Sequence, residues 1–143
     1  MNNLKAGFGR ININPPMGIS LRGYIKERFA SGVLDDIEAN ALALKFNETI
    51  TLLISVDNCG IEQELLSYYR KNVSDATEVP MENIVISSTH THQGPEATIN
   101  SQNELVREYT EFLCKRITAA AVFAIADLKD AKMGYGKGVL LPM

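Results

Sequence analysis

The chain has 143 residues, of which 45% are hydrophobic and 22% charged, with a formal net charge of −3 at pH 7. That length suits one domain with its own core, and the composition excludes a disordered, collagen-like or coiled-coil chain. An acidic balance with no basic stripe also excludes a nucleic-acid partner held by phosphate neutralisation.

Residues 6–13 (AGFGRINI) read as a short first strand. Asn14, Pro15, Pro16, Met17 and Gly18 end it, because consecutive prolines neither donate to a ladder nor continue a helix. Residues 18–36 mix glycine, serine and both charge signs without a period, and loops of this length are functional or disordered. Residues 37–46 alternate at Leu42, Leu44 and Phe46, and residues 50–56 form a nearly continuous β-branched apolar run. The break at Asn47, Glu48 and Thr49 suits a tight antiparallel hairpin.

Apolar residues at Ile61, Leu65, Leu66, Tyr69 and Val73 mark a helix, with Asp57 or Asn58 available as its cap. Tyr68, Tyr69, Arg70 and Lys71 read as a solvated helix end rather than a platform for nucleic acid. Residues 83–88 (NIVISS) form a buried-type strand, which completes a β-α-β unit expected to be parallel and right-handed. The longest periodic element carries Leu105, Tyr109, Phe112, Leu113, Ile117, Ala120, Ala124 and Leu128 on one face. Residues 131–138 (AKMGYGKG) alternate as a last strand. The glycines of that stretch are not a dinucleotide fingerprint, because they have the wrong spacing and begin no helix.

The whole is read as one α/β domain over residues 1–143. It has a mixed sheet with a β-α-β unit and helices packed on the sheet, in roughly β-β-β-α-β-α-β order. Core packing is the expected role of most tyrosines and phenylalanines.

Cys59 and Cys114 read as buried free thiols. The chain opens without an apolar signal segment, so a reducing, cytoplasmic setting is expected, with the sequons at Asn47 and Asn72 idle. No apolar run reaches membrane-spanning length, so no transmembrane segment is expected.

Ligand sites in open α/β sheets lie off the carboxyl ends of strands. One such end delivers Ser55, Val56, Asp57 and Asn58; the other delivers the run from Ser88 to Glu96 (STHTHQGPE), which holds the two histidines of the chain, His90 and His92. On an extended backbone an H-x-H pair projects both imidazoles to one side, an efficient arrangement for a metal ligand beside a second polar group. Thr89, Thr91 and Gln93 are placed to hold the tautomer by hydrogen bonds. The alternative is a polar turn whose histidines merely bond the backbone. A (β/α)8 barrel is excluded by length, and a structural zinc site by the lack of paired cysteines. Asp57 is read either as a carboxylate that orients a histidine or as a helix cap, and Glu96 as a general base or a solvated turn residue.

The segment from Ala6 to Gly18 (AGFGRININPPMG), then Leu21, Arg22, Gly23 and Tyr24, then Gly32 to Asp36 with Ala39 to Leu42, and finally Pro80 to Ile84 leading into THTHQGP follow one another in an order that resembles the amino-terminal part of the neutral/alkaline non-lysosomal ceramidase family. The T-H-T-H-x-G-P run is the most specific of these, and the likeness is collinear over essentially the whole chain. Leu34, Asn40 and Gln93 depart from the family pattern, standing where a histidine, an arginine and a serine are usual.

The resemblance implies a zinc-dependent amidase acting on an N-acyl sphingoid base, a lipid or small-molecule amide substrate. It implies His90 as a zinc ligand and His92 beside the metal, positioning the attacking water or stabilising the oxyanion. It also implies that the family's remaining ligands lie beyond the matching region, with Asp57, Glu96, Cys59 or Tyr24 as local candidates to complete a site. The expectation is therefore an incomplete portion of a catalytic domain, which would pack against a further portion or self-associate through an exposed apolar face. The competing expectation is a non-catalytic domain of the same fold that binds a metal or partner weakly.

Overall fold

The structure, a computed structural model, describes residues 4–139. Its elements are β1 (Leu4–Asn12), β2 (Glu38–Phe46), β3 (Thr49–Val56), α1 (Gln63–Thr77), a 3-10 turn (Met81–Asn83), β4 (Ile84–Ser88), α2 (Glu104–Ala126) and β5 (Lys129–Asp130). The strands form one sheet in the order β4-β3-β2-β1-β5. Among the described residues its only parallel pair is β3 with β4, the two strands that α1 connects; the other neighbours are antiparallel. The mixed α/β architecture expected from the sequence is the one observed.

Alternation along the strands decides which face is covered. Ala39, Ala41 and Ala43 of β2, Leu52, Ile54 and Val56 of β3, and Ile84 and Ile86 of β4 are buried under the helices. Leu65, Tyr69 and Val73 of α1 and the buried stripe of α2 meet them. Burial pushes the Tyr69 and Tyr109 phenols far up, so both stay neutral; the Tyr109 hydroxyl donates to the Ile13 carbonyl at 2.7 Å. Tyr69 is thus a core residue rather than part of a solvated helix end, because i, i+4 spacing from Leu65 and to Val73 puts it on the inward stripe.

α2 approaches β1 as closely as backbone allows. A Cβ built on Gly7 would fall 2.1 Å from the Ala124 carbonyl oxygen, and one on Gly9 would fall 2.0 Å from that of Ala120. Two strand glycines facing alanines thus let the helix lie directly on the strand.

The opposite face of the sheet carries no helix among the described residues. The register sets Phe8, Leu42, Leu53 and Val85 in one row across β1 to β4, with Phe8 64%, Leu53 40% and Val85 50% exposed. All five phenylalanines of the chain are exposed, contrary to the expected core role; alanines and aliphatic residues fill the narrow space under the helices instead.

The last strand is also shorter than its alternation suggests. β5 meets β1 only at Lys5 and Ala6 and runs antiparallel toward the start of that strand, and the Ala131 amide bonds the Leu4 carbonyl. Residues 131–138 then find no ladder, and Met133 and Tyr135 are exposed. α1 begins after Glu62, whose side chain makes no capping hydrogen bond, and not after Asp57 or Asn58. The Asp57 carboxylate instead accepts the Glu38 amide at 3.0 Å, holding the ends of β2 and β3 together.

Candidate metal centre

The site begins where β3 and β4 end side by side, at Val56 and Ser88. The Val56 carbonyl accepts from the Asn58 and Thr89 amides, so both chain segments leave the sheet from one point. Cys59 follows on one segment, and His90 and His92 on the other. Their ligand atoms (Cys59 Sγ and one ring nitrogen from each histidine) all lie within 4.8 Å of one another.

The two histidines do not sit on extended backbone. His90 has φ 65°, in the left-handed region, and His92 lies in the turn that follows. A non-glycine residue held there is uncommon and costs energy, and such residues concentrate at functional sites. The turn brings the rings together edge to face, with centroids 4.9 Å apart and planes at 79°. His90 Nδ1 donates to the Cys59 carbonyl at 2.6 Å, since a carbonyl can only accept. In the neutral ring this leaves Nε2 unprotonated, the tautomer a metal ligand needs, with the His92 Nε2–H donating to it. The Nε2 atoms of His90 and His92 are 3.3 Å apart.

The donor set tests whether an ion fits. A neutral imidazole with Nε2 unprotonated is a ligand that zinc takes, and the Cys59 sulfur and the His92 ring nitrogen stand within 4.8 Å of it, so the residues present fit zinc.

Gly23 closes the site from above. Its φ is 96°, and a Cβ there would fall 2.7 Å from His92 Cγ and 3.0 Å from Cys59 Sγ, so only a bare backbone can lie against both. The loop carrying Gly23 is ordered by the site: the Arg22 amide bonds the Gly94 carbonyl, Leu21 bridges Pro95, and the Arg22 side chain pairs with Glu62 at 2.8 Å. Residues 20–24 of the long irregular stretch form this clamp.

Tyr24 stands beside His92 at 6.2 Å, edge to face; its hydroxyl accepts from the Gln93 side-chain amide, and the Arg28 guanidinium lies 4.1 Å over its ring. Tyr24 and Gln93 are therefore brought to the histidines. Thr89, Thr91 and Asp57 are not joined to them by any hydrogen bond among the described residues. Thr89 bonds through its backbone, and the Thr91 hydroxyl accepts the Gln93 amide at 3.3 Å. Glu96 accepts from the Ser20 hydroxyl at 2.6 Å and so serves the clamp. Asn58 is 2% exposed, and neither atom of its amide finds a partner among the described residues. Sequence reasoning had no signal for Arg28 or for the orphaned Asn58 amide.

No family model matches the chain, and no curated protein matches it. Among solved structures the fold recurs in the crystal structure of neutral ceramidase from Pseudomonas aeruginosa and in a ceramidase complexed with C2. Each has a TM-score of 0.76 at 18% identity, over 90% of this chain and 22% of that one. The chain thus spans 22% of the length of the structures it matches, and at this identity the likeness is one of fold.

Proposed function

We propose that this chain carries part of the site of a ceramidase-like, zinc-dependent hydrolase that cleaves an N-acyl sphingoid base or a related amide or ester. The observation that carries the reading is the meeting of the His90 and His92 rings, their Nε2 atoms 3.3 Å apart, just past the carboxyl ends of two parallel strands in a fold shared with ceramidase. His90, its Nδ1 tied to the Cys59 carbonyl, presents Nε2 as a ligand. His92 stands beside it and orients the attacking water or donates to the developing oxyanion. Tyr24 and Gln93, joined by a hydrogen bond, wall the same side and hold the acyl group against it. Held by His90, zinc would lower the pKa of a water to about 7 and polarise the carbonyl, so no protein nucleophile would be needed.

The test is single-turnover hydrolysis by the zinc-loaded protein that contains this chain, in excess over an N-acyl sphingoid base, with the free amine as readout. The reading expects zinc-dependent release that His92→Ala abolishes while the zinc content persists. Stoichiometric zinc with no release, from this substrate or from simpler amides and esters, would overturn it in favour of a non-catalytic metal-binding domain.

A further inference from the structure

We infer that Cys59 is a thiolate ligand of the same ion as His90, making this a mixed sulfur–nitrogen site. The inference rests on the zinc reading above but concerns Cys59 alone; His92 keeps the role given there.

The neighbouring oxygen donors are engaged elsewhere. The Asp57 carboxylate accepts the Glu38 amide, the Glu96 carboxylate accepts the Ser20 hydroxyl, and the Tyr24 hydroxyl accepts from Gln93. No hydrogen bond among the described residues engages the Cys59 sulfur, and it lies within 4.8 Å of the donor nitrogens of both histidines. Its residue is also tied to the site through the backbone, because the Cys59 carbonyl holds His90 Nδ1. One residue thereby orients one ligand and supplies another. Gly23 packs against Cys59 Sγ and His92 together, so the sulfur faces the histidines under a cover of backbone.

The other cysteine shows the contrast. Cys114 sits between the helices against Tyr68 and Thr118, and burial pushes its thiol up. It is an inert packing group.

Binding at Cys59 would release the thiol proton as the sulfur–metal bond forms. A thiolate with imidazoles favours zinc, cobalt and cadmium over magnesium or calcium, whose preference is for oxygen. It also makes the site depend on a reduced thiol.

The experiment is titration of the purified chain with Co2+, read by absorption. The expected result is a near-ultraviolet thiolate-to-cobalt charge-transfer band that Cys59→Ser removes and Cys114→Ser leaves intact. Cobalt bound without that band, or a band that survives Cys59→Ser, would overturn the assignment while leaving the zinc reading standing. No cobalt or zinc bound at all would sink both. Cadmium NMR on the unmodified chain reads the same ligand without a variant: a shift typical of mixed thiolate–nitrogen coordination supports Cys59, and one typical of nitrogen and oxygen ligands alone overturns it.

Discussion

His90 and His92 face each other through their Nε2 atoms at 3.3 Å, although neither lies on a strand. Their meeting depends on the left-handed backbone at His90, on the Cys59 carbonyl that fixes one ring, and on the bare backbone of Gly23 lying against the other. Each of these supports can be removed separately.

Gly23→Ala places a methyl group 2.7 Å from His92 Cγ and 3.0 Å from Cys59 Sγ, at a φ of 96° that alanine resists. Supports of this kind are worth about 10–100-fold in metal affinity. The expected outcome is a zinc affinity weaker by that factor in a chain whose circular dichroism is unchanged, measured by competition with a chromophoric chelator.

Gly9→Ala tests the helix-on-strand contact instead. The added Cβ would fall 2.0 Å from the Ala120 carbonyl oxygen, and neither backbone can yield without separating α2 from β1. Overpacking of this sort costs about 1–3 kcal/mol. Urea unfolding should show a lower midpoint by a corresponding amount, with the slope retained.

Asp127 links the end of α2 to β1, its carboxylate accepting the Phe8 amide at 3.0 Å. That backbone hydrogen bond, with the Lys129 ammonium, holds the carboxyl below the ordinary value near 3.8. A depressed carboxyl stabilises the fold above its unfolded pKa and loses that contribution as pH falls through the folded one. The melting-temperature difference between the native chain and Asp127→Ala should therefore be constant near neutrality and shrink as the pH drops below about 4.

The open face of the sheet, with Phe8, Leu42, Leu53 and Val85 in one row, predicts self-association. Sedimentation should show mass rising with concentration, and Leu53→Lys should suppress the rise without loss of secondary structure.

The sheet and helices are legible in the sequence because their signals are local. The apolar run from Ile50 to Val56 and the helical spacing of Leu65, Tyr69 and Val73 each demand one element and one buried face. Residues 131–138 mislead because their alternation resembles a half-buried strand, whereas a strand exists only where a partner edge is available, and among the described residues β1 pairs with Lys129 and Asp130 and takes one further bond from the Ala131 amide. The phenylalanines mislead because hydrophobicity does not say which face of a sheet is covered. At the site, the histidine pair is visible in THTHQGP, but its geometry is not. The left-handed turn at His90, the convergence of Cys59 from the neighbouring strand end and the clamp at Gly23 are long-range relations that no local spacing encodes.

The most direct test of the central claim is the zinc content of the purified, reduced chain after equilibrium dialysis, compared with His90→Ala. The account predicts one zinc per chain, lost in the variant while the fold persists by circular dichroism. A native chain that binds no zinc, or a variant that holds it as tightly, would contradict it.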